Sequence, residues 1–235
     1  MKNFIAVSIC AFALVACGSE ESSKNTRDAA QNSAPEQAAP AKNAQVAPSG
    51  TMTDAQVFAY ILGRDYGLPT YLNTPDRIGE MLDLDAMVQG VIDNESVLAD
   101  TNRMLQVSPE VQRQVEAHYM KLTEERRAAG ANAKPVVLAG PITGGKVVIS
   151  DTTSLNIKYS YMQGVQIHSL FDAVQRNFGE KLDVKFFIRG LRESVYGAMD
   201  PSFIKSVSED TLKAVNARYV ARMEKIREER RNALQ

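Results

Sequence analysis

Residues 79–127 return one hundred positions later as residues 179–227. Gly79-Glu80 and Leu82-Asp83 meet Gly179-Glu180 and Leu182-Asp183, and then, without a gap, Gly90 meets Gly190 and Asp100 meets Asp200. Val107-Ser108, Val115, Ala117, Tyr119, Glu124 and Arg127 meet Val207-Ser208, Val215, Ala217, Tyr219, Glu224 and Arg227. Matches held in register this long mark a tandem duplication, which constrains the fold before any single element is considered. Two copies are too few for a solenoid. The pattern predicts a unit that packs against a copy of itself.

Each copy reads as three helices. In the first, Thr53 and Asp54 offer N-cap chemistry ahead of Val57, Phe58, Ile61 and Leu62 at helical spacing, and Gly67 is a candidate end. A second helix is expected from about Asp83, with Leu84, Met87, Val88, Val91 and Ile92 on one face. Ser108-Pro109-Glu110 starts a third with a cap, a proline at the first position and an acid behind it. It carries Val111, Val115, Tyr119 and Leu122 and fades at Ala129-Gly130. The second copy repeats this from about Leu155 to Asn177, from Asp183 to about Ser194, and from Ser208 to the end of the chain. Leu212, Val215, Tyr219, Met223 and Ile226 are spaced like a short coiled-coil seam.

Gly63, Gly90, Gly164 and Gly190 fall inside these expected helices, where each costs about 1 kcal/mol against alanine. Their recurrence predicts that two helix backbones approach closely where the side chain is missing. The alternative is a helix end at each. Between the copies, Val136-Val137-Leu138 and Lys146-Val147-Val148-Ile149 flank two glycine turns, a candidate short hairpin. The expected class is therefore all-α: two tandem three-helix repeats, with that hairpin between them.

The N-terminus has the form of an export signal. Met1-Lys2-Asn3 is basic, and Phe4 to Val15 is an apolar run too short to span a bilayer. Leu14-Val15-Ala16-Cys17-Gly18 resembles the lipobox of bacterial lipoproteins. That resemblance implies cleavage before Cys17, lipidation of Cys17 and anchoring by several acyl chains, each methylene contributing roughly 0.8 kcal/mol. The alternative is an ordinary secretory signal with a chance cysteine. No aspartate follows Cys17 directly. In Gram-negative lipoproteins this resembles sorting to the outer membrane, so the expected location is that membrane, facing the periplasm. Residues 18–50 are rich in Ser, Ala, Gln, Asn and Pro and hold too little apolar surface for a core. As coil they span roughly 30 Å on average and about 110 Å when fully stretched. The expected layout is a signal peptide at 1–16, a lipid-anchored tether at 17–51, the first repeat at 52–130, a linker at 131–153 and the second repeat at 154–235.

Several residues that look like chemistry have simpler explanations. Cys10 falls in the expected signal and Cys17 would carry lipid, leaving no thiol for a disulfide, a metal or nucleophilic attack. His118 and His168, with Glu116 or Asp172 nearby in sequence, lack metal-ligand spacing, so neither metal nor cofactor is expected. Asp83 and Asp85 read as helix caps rather than a catalytic pair, and Glu124–Arg127 and Glu224–Arg227 as surface contacts. Gly140-Pro141-Ile142-Thr143-Gly144-Gly145-Lys146 lacks the Walker spacing of a phosphate loop. Net charge is −1 with both signs interspersed, which gives no basic surface for nucleic acid.

Leu82-Asp83-Leu84-Asp85-Ala86-Met87-Val88-Gln89-Gly90-Val91-Ile92-Asp93, with Tyr60-Ile61-Leu62-Gly63 before it and the Ser108 helix after it, resembles the N-terminal domain of FKBP-type peptidyl-prolyl isomerases of the macrophage infectivity potentiator kind. The second copy carries Tyr161-Met162-Gln163-Gly164 and Leu182-Asp183-Val184-Lys185-Phe186-Phe187-Ile188-Arg189-Gly190-Leu191, departing at Lys185, where a second acid is usual. The resemblance covers nearly all of 55–127 and 155–230. It implies helices that intertwine in a dimer and a long third helix that carries the catalytic domain. Here no tryptophan and no strand-rich stretch is present for that domain, so no catalytic residue is carried over and the chain is expected not to be an enzyme. The duplication then implies a pseudo-dimer within one polypeptide, the alternative being a homodimer of four repeats. The linker, stretching to roughly 80 Å, is long enough to connect the copies. The function implied is a chaperone-like or adaptor module in envelope protein folding, with unfolded client proteins as partners and apolar side chains such as Met120, Met223 and Ile226 reachable in a cleft. The alternative is an assembly subunit that pairs with a complete isomerase.

Overall fold

The computed structural model describes residues 52–100, 102–136 and 146–233. Cys17, the expected signal and the tether lie outside them. The described residues are all-α, with no strand: α1 (Asp54–Ile78), α2 (Leu84–Ala99), α3 (Pro109–Ala129), a 3-10 turn at Gly130–Asn132, α4 (Leu155–Phe178), α5 (Val184–Met199) and α6 (Glu209–Asn232). No described helix is long and apolar enough to cross a membrane.

Local chemistry sets the starts. Thr53 and Gln56 form a reciprocal capping box: Gln56 N–H donates to Thr53 Oγ1 and Thr53 N–H to Gln56 Oε1. Asp83, Ser108, Ser154, Asp183 and Ser208 each cap the next helix by accepting from a backbone amide in its first turn, each contributing about 1 kcal/mol. Gly79 and Gly179 end α1 and α4 at positive φ, 84° and 61°, a conformation glycine adopts without a Cβ clash.

α1 does not end at Gly67. It continues through Pro69 and Pro75 to Ile78, because Gly67 faces the partner helix rather than solvent: a Cβ there would lie 2.2 Å from Leu191 Cδ1. α5 also runs past Ser194, whose hydroxyl folds back onto the Leu191 carbonyl at 2.9 Å. Of the candidate hairpin, the turn and most of the first arm lie outside the described residues. The second arm is not a strand, and the Ile149 amide donates to Gln106 Oε1 at 2.7 Å instead of to a ladder.

The two most extensive helix pairings each join one copy to the other: α1 lies along α5, and α2 along α4. All four recurring glycines sit at these crossings, mid-helix. A Cβ on Gly63 would fall 1.9 Å from the Phe187 carbonyl oxygen, and one on Gly190 2.0 Å from that of Tyr60. At the other crossing, Gly164 would meet Met87 O at 1.9 Å and Gly90 would meet Tyr161 O at 2.1 Å. No real Cβ tolerates such distances, so glycine is what lets the backbones touch. Tyr60, Tyr161, Phe171 and Phe187 are fully buried, and the main core draws side chains from both copies. α6 rests on α1, and α3 on α1 and α4. The expected seam of α6 is used here: Leu212, Val215 and Tyr219 are buried and Met223 and Ile226 half-buried against the core.

Candidate functional site

Polar side chains that the helix pattern places on the apolar seams are paired across the copies. Tyr60 on α1 donates to Glu193 on α5 at 3.0 Å, and Glu193 also accepts from Arg189 and from the amide and hydroxyl of Ser206. The counterpart is Tyr161 on α4, which donates to Asp93 on α2 at 2.9 Å and accepts from the Gln106 amide. Burial, reinforced by these carboxylates, pushes both phenols well above the ordinary tyrosine range. Burial alone would raise Glu193, but the Ser206 amide, Arg189, the Ser206 hydroxyl and Tyr60 together hold it low. Within each copy, Tyr119 donates to Glu80 and Tyr219 to Glu180, and burial followed by Glu180 pushes Tyr219 up to about 12. These phenols are fixed donors near neutral pH.

His168 has no exposed surface. Its Nδ1 lies 3.0 Å from Asn94 Nδ2, and its Nε2 lies 3.0 Å from Glu95 Oε2. The same Asn94 nitrogen faces the Val165 carbonyl at 3.4 Å and Ser169 Oγ at 3.2 Å. A carbonyl can only accept, so the amide nitrogen is the group turned that way. Nδ1 must then accept, which leaves the proton on Nε2, donated to Glu95. Burial lowers the imidazole's pKa more than Glu95 and Asp172 raise it, so the neutral form fits the site. Lying inside the α2–α4 contact, the ring is out of reach of a substrate.

Among the described residues, two concave regions stand out. One, about 810 Å³, lies between α1, α3 and α4. Its lining includes Tyr119, Tyr159, Met162 and Ile167, with Met120 and Leu170 exposed at 64% and 48%. Tyr119 and Tyr159 stack there with centroids 4.0 Å apart. The other, about 670 Å³, is lined by Val88, Ile92 and Met104 and by the ion pair of Asp85 with Arg192 at 3.2 Å.

The structure separates the residues singled out in the sequence. Asp83 caps α2, but Asp85 does not cap: it is buried at 4% exposure, facing Arg192 from the other copy. His118 is exposed on α3, far in character from buried His168. Among the described residues no group of three or more histidine, cysteine or acidic side chains is placed to hold a metal ion. Glu124–Arg127 and Glu224–Arg227 do not close; Arg126 instead donates to the carbonyls of Asp76 and Lys134. Of the apolar side chains expected to be reachable, Met120 is, whereas Met223 and Ile226 turn toward the core. The paired Tyr60–Glu193 and Tyr161–Asp93 contacts were missed, although a tyrosine and an acid recurring in both copies signalled them. No family model, characterised protein or solved structure matches the chain.

Proposed function

We propose that this chain is a non-catalytic helical relative of the FKBP-type isomerases, anchored by lipid at Cys17 to the outer membrane and facing the periplasm. There it binds unfolded or partly folded envelope proteins as a chaperone-like or adaptor module. The two repeats form an intramolecular counterpart of that family's intertwined dimer. Supporting the pairing are the four glycine contacts, which lie between copies and not within them. Supporting client binding is the groove between α1, α3 and α4, where Met120 and Leu170 stay open to solvent beside a stacked tyrosine pair. Flexible methionine suits binding of varied apolar segments. The groove carries the proposal. Its test is suppression of aggregation of an unfolded client by the purified chain, and loss of that effect in a Met120→Glu/Leu170→Glu variant of unchanged stability. A chain that suppresses nothing removes the proposal. The assembly-subunit alternative is weaker on one count: the glycine faces that would pair with a complete isomerase already contact each other.

A further inference from the structure

The seams are alike in their glycines and unlike in the side chains beside them. One turn after Gly63 on α1 stands Gly67, whose missing side chain receives Leu191. One turn after Gly164 on α4 stands His168, held by Asn94 and Glu95. In the repeat register Val91, Asn94 and Glu95 of α2 correspond to Leu191, Ser194 and Val195 of α5. Buried Asp85 faces Arg192, and the corresponding positions are Lys185 and Ile92.

We infer that the two repeats have diverged into complementary partners, so that each pairing surface fits the other repeat and rejects a second copy of itself. The inference rests on pairing between repeats and is independent of client binding. A pair of first repeats would set the buried carboxylate of Asp85 against Ile92, leaving it without the guanidinium it now faces, and would put the shorter Val91 over Gly67, opening a void. A pair of second repeats would set Lys185 against Arg192, like against like. It would also bury His168 against Leu191, Ser194 and Val195, which supply neither the amide donor nor the carboxylate acceptor it now uses. Only the mixed pair satisfies every one of these groups. The surface on the first repeat is thus a docking site for the second, in the same chain or in a second copy of the chain by exchange.

The test starts from the full chain with a protease site inserted within 137–145, cut after folding, then unfolded in urea and refolded. Native mass spectrometry separates the three pairings by mass. The mixed pair is expected in more than about tenfold excess over either like pair, as a preference of about 1.4 kcal/mol already gives. A statistical 1:2:1 mixture overturns the inference. If the cut halves do not refold, the uncut chain still decides. Asp85→Lys should lower the urea midpoint, and Asp85→Lys/Arg192→Asp should recover more than half the loss by reversing the pair. No recovery overturns the inference. Light scattering on the uncut chain stands apart: a two-chain mass defeats the intramolecular pseudo-dimer while leaving complementary repeats intact.

Discussion

The α1–α5 and α2–α4 crossings share a backbone geometry and differ in what they bury one turn away. At α1–α5 the space beside Gly67 is filled by the hydrocarbon of Leu191. At α2–α4 the corresponding space holds an imidazole, an amide and a carboxylate from His168, Asn94 and Glu95. An apolar contact is indifferent to pH and to direction. A hydrogen-bonded one is specific in both, because each donor must find an acceptor. The two crossings are alike at their glycines and chemically distinct beside them.

The hardest way to break the comparison is at the shared element. Gly63→Ala and Gly164→Ala each place a Cβ within 1.9 Å of a carbonyl oxygen, and backbone cannot yield as a flexible side chain does. In an isolated helix either change would help by about 1 kcal/mol. Here each should cost about 3 kcal/mol in urea denaturation, with similar losses at the two crossings. A large difference between the two would show that the crossings are not equivalent.

Removing a phenol hydroxyl sharpens the contrast. Both acids keep other donors, Gln89 and Gln106 side chains for Asp93 and Arg189 and Ser206 for Glu193, but Tyr161 also accepts from the Gln106 amide. Tyr161→Phe should therefore cost about 2 kcal/mol and Tyr60→Phe about 1.5 kcal/mol by chemical denaturation. Equal losses would mean that the Gln106 amide finds water instead.

The sequence carried the helix starts well, because a cap is a local event: Thr53, Asp83 and Ser108 act on amides within their own first turn. It carried the glycine crossings because recurrence in two copies distinguishes a packing glycine from a tolerated one. It failed at Gly67, where a residue that looks like a stop is held inside the helix by Leu191 far along the chain. It failed also at Asp85 and His168, whose partners Arg192 and Asn94 lie on helices of the other copy. Nothing in local spacing reports which side chain will arrive from there. The groove was half legible: Met120 was named, but Tyr119 and Tyr159 become neighbours only once α3 lies on α4.

The pH response separates the seams without altering either backbone. His168 has a folded pKa below the ordinary histidine value of 6.5 because it is buried, despite Glu95 and Asp172. The unfolded chain then binds a proton that the folded chain refuses, so the stabilisation is complete above about pH 6.5 and is lost as pH falls below it. Protonating Nδ1 would also turn a donor toward the Asn94 amide nitrogen, and rotating that amide would set its oxygen against the Val165 carbonyl. Hydrogen exchange at pH 5 should therefore speed up in α2 and α4 before α1 and α5, and His168→Gln should flatten the acid dependence of the urea midpoint. Uniform acceleration over all helices, or an unchanged slope in the variant, would assign the acid sensitivity elsewhere.

The smallest effect has the opposite sign and tests whether proximity to the other copy is what makes a glycine necessary. Gly197 lies in the last turn of α5, and a Cβ there meets only the flexible side chain of Lys205, with Cε 3.0 Å and Cγ 4.0 Å away. In the repeat register its counterpart is Val97, so this position already tolerates a branched residue in the first copy. Lys205 swings aside at little cost, and the helix gains the ordinary preference for alanine over glycine, reduced near a helix end. Gly197→Ala should raise the urea midpoint by the equivalent of about 0.5 kcal/mol. A loss instead would mean that the end of α5 is packed as tightly as the crossings. The distinction between glycines that touch backbone and glycines that touch side chain would then fail.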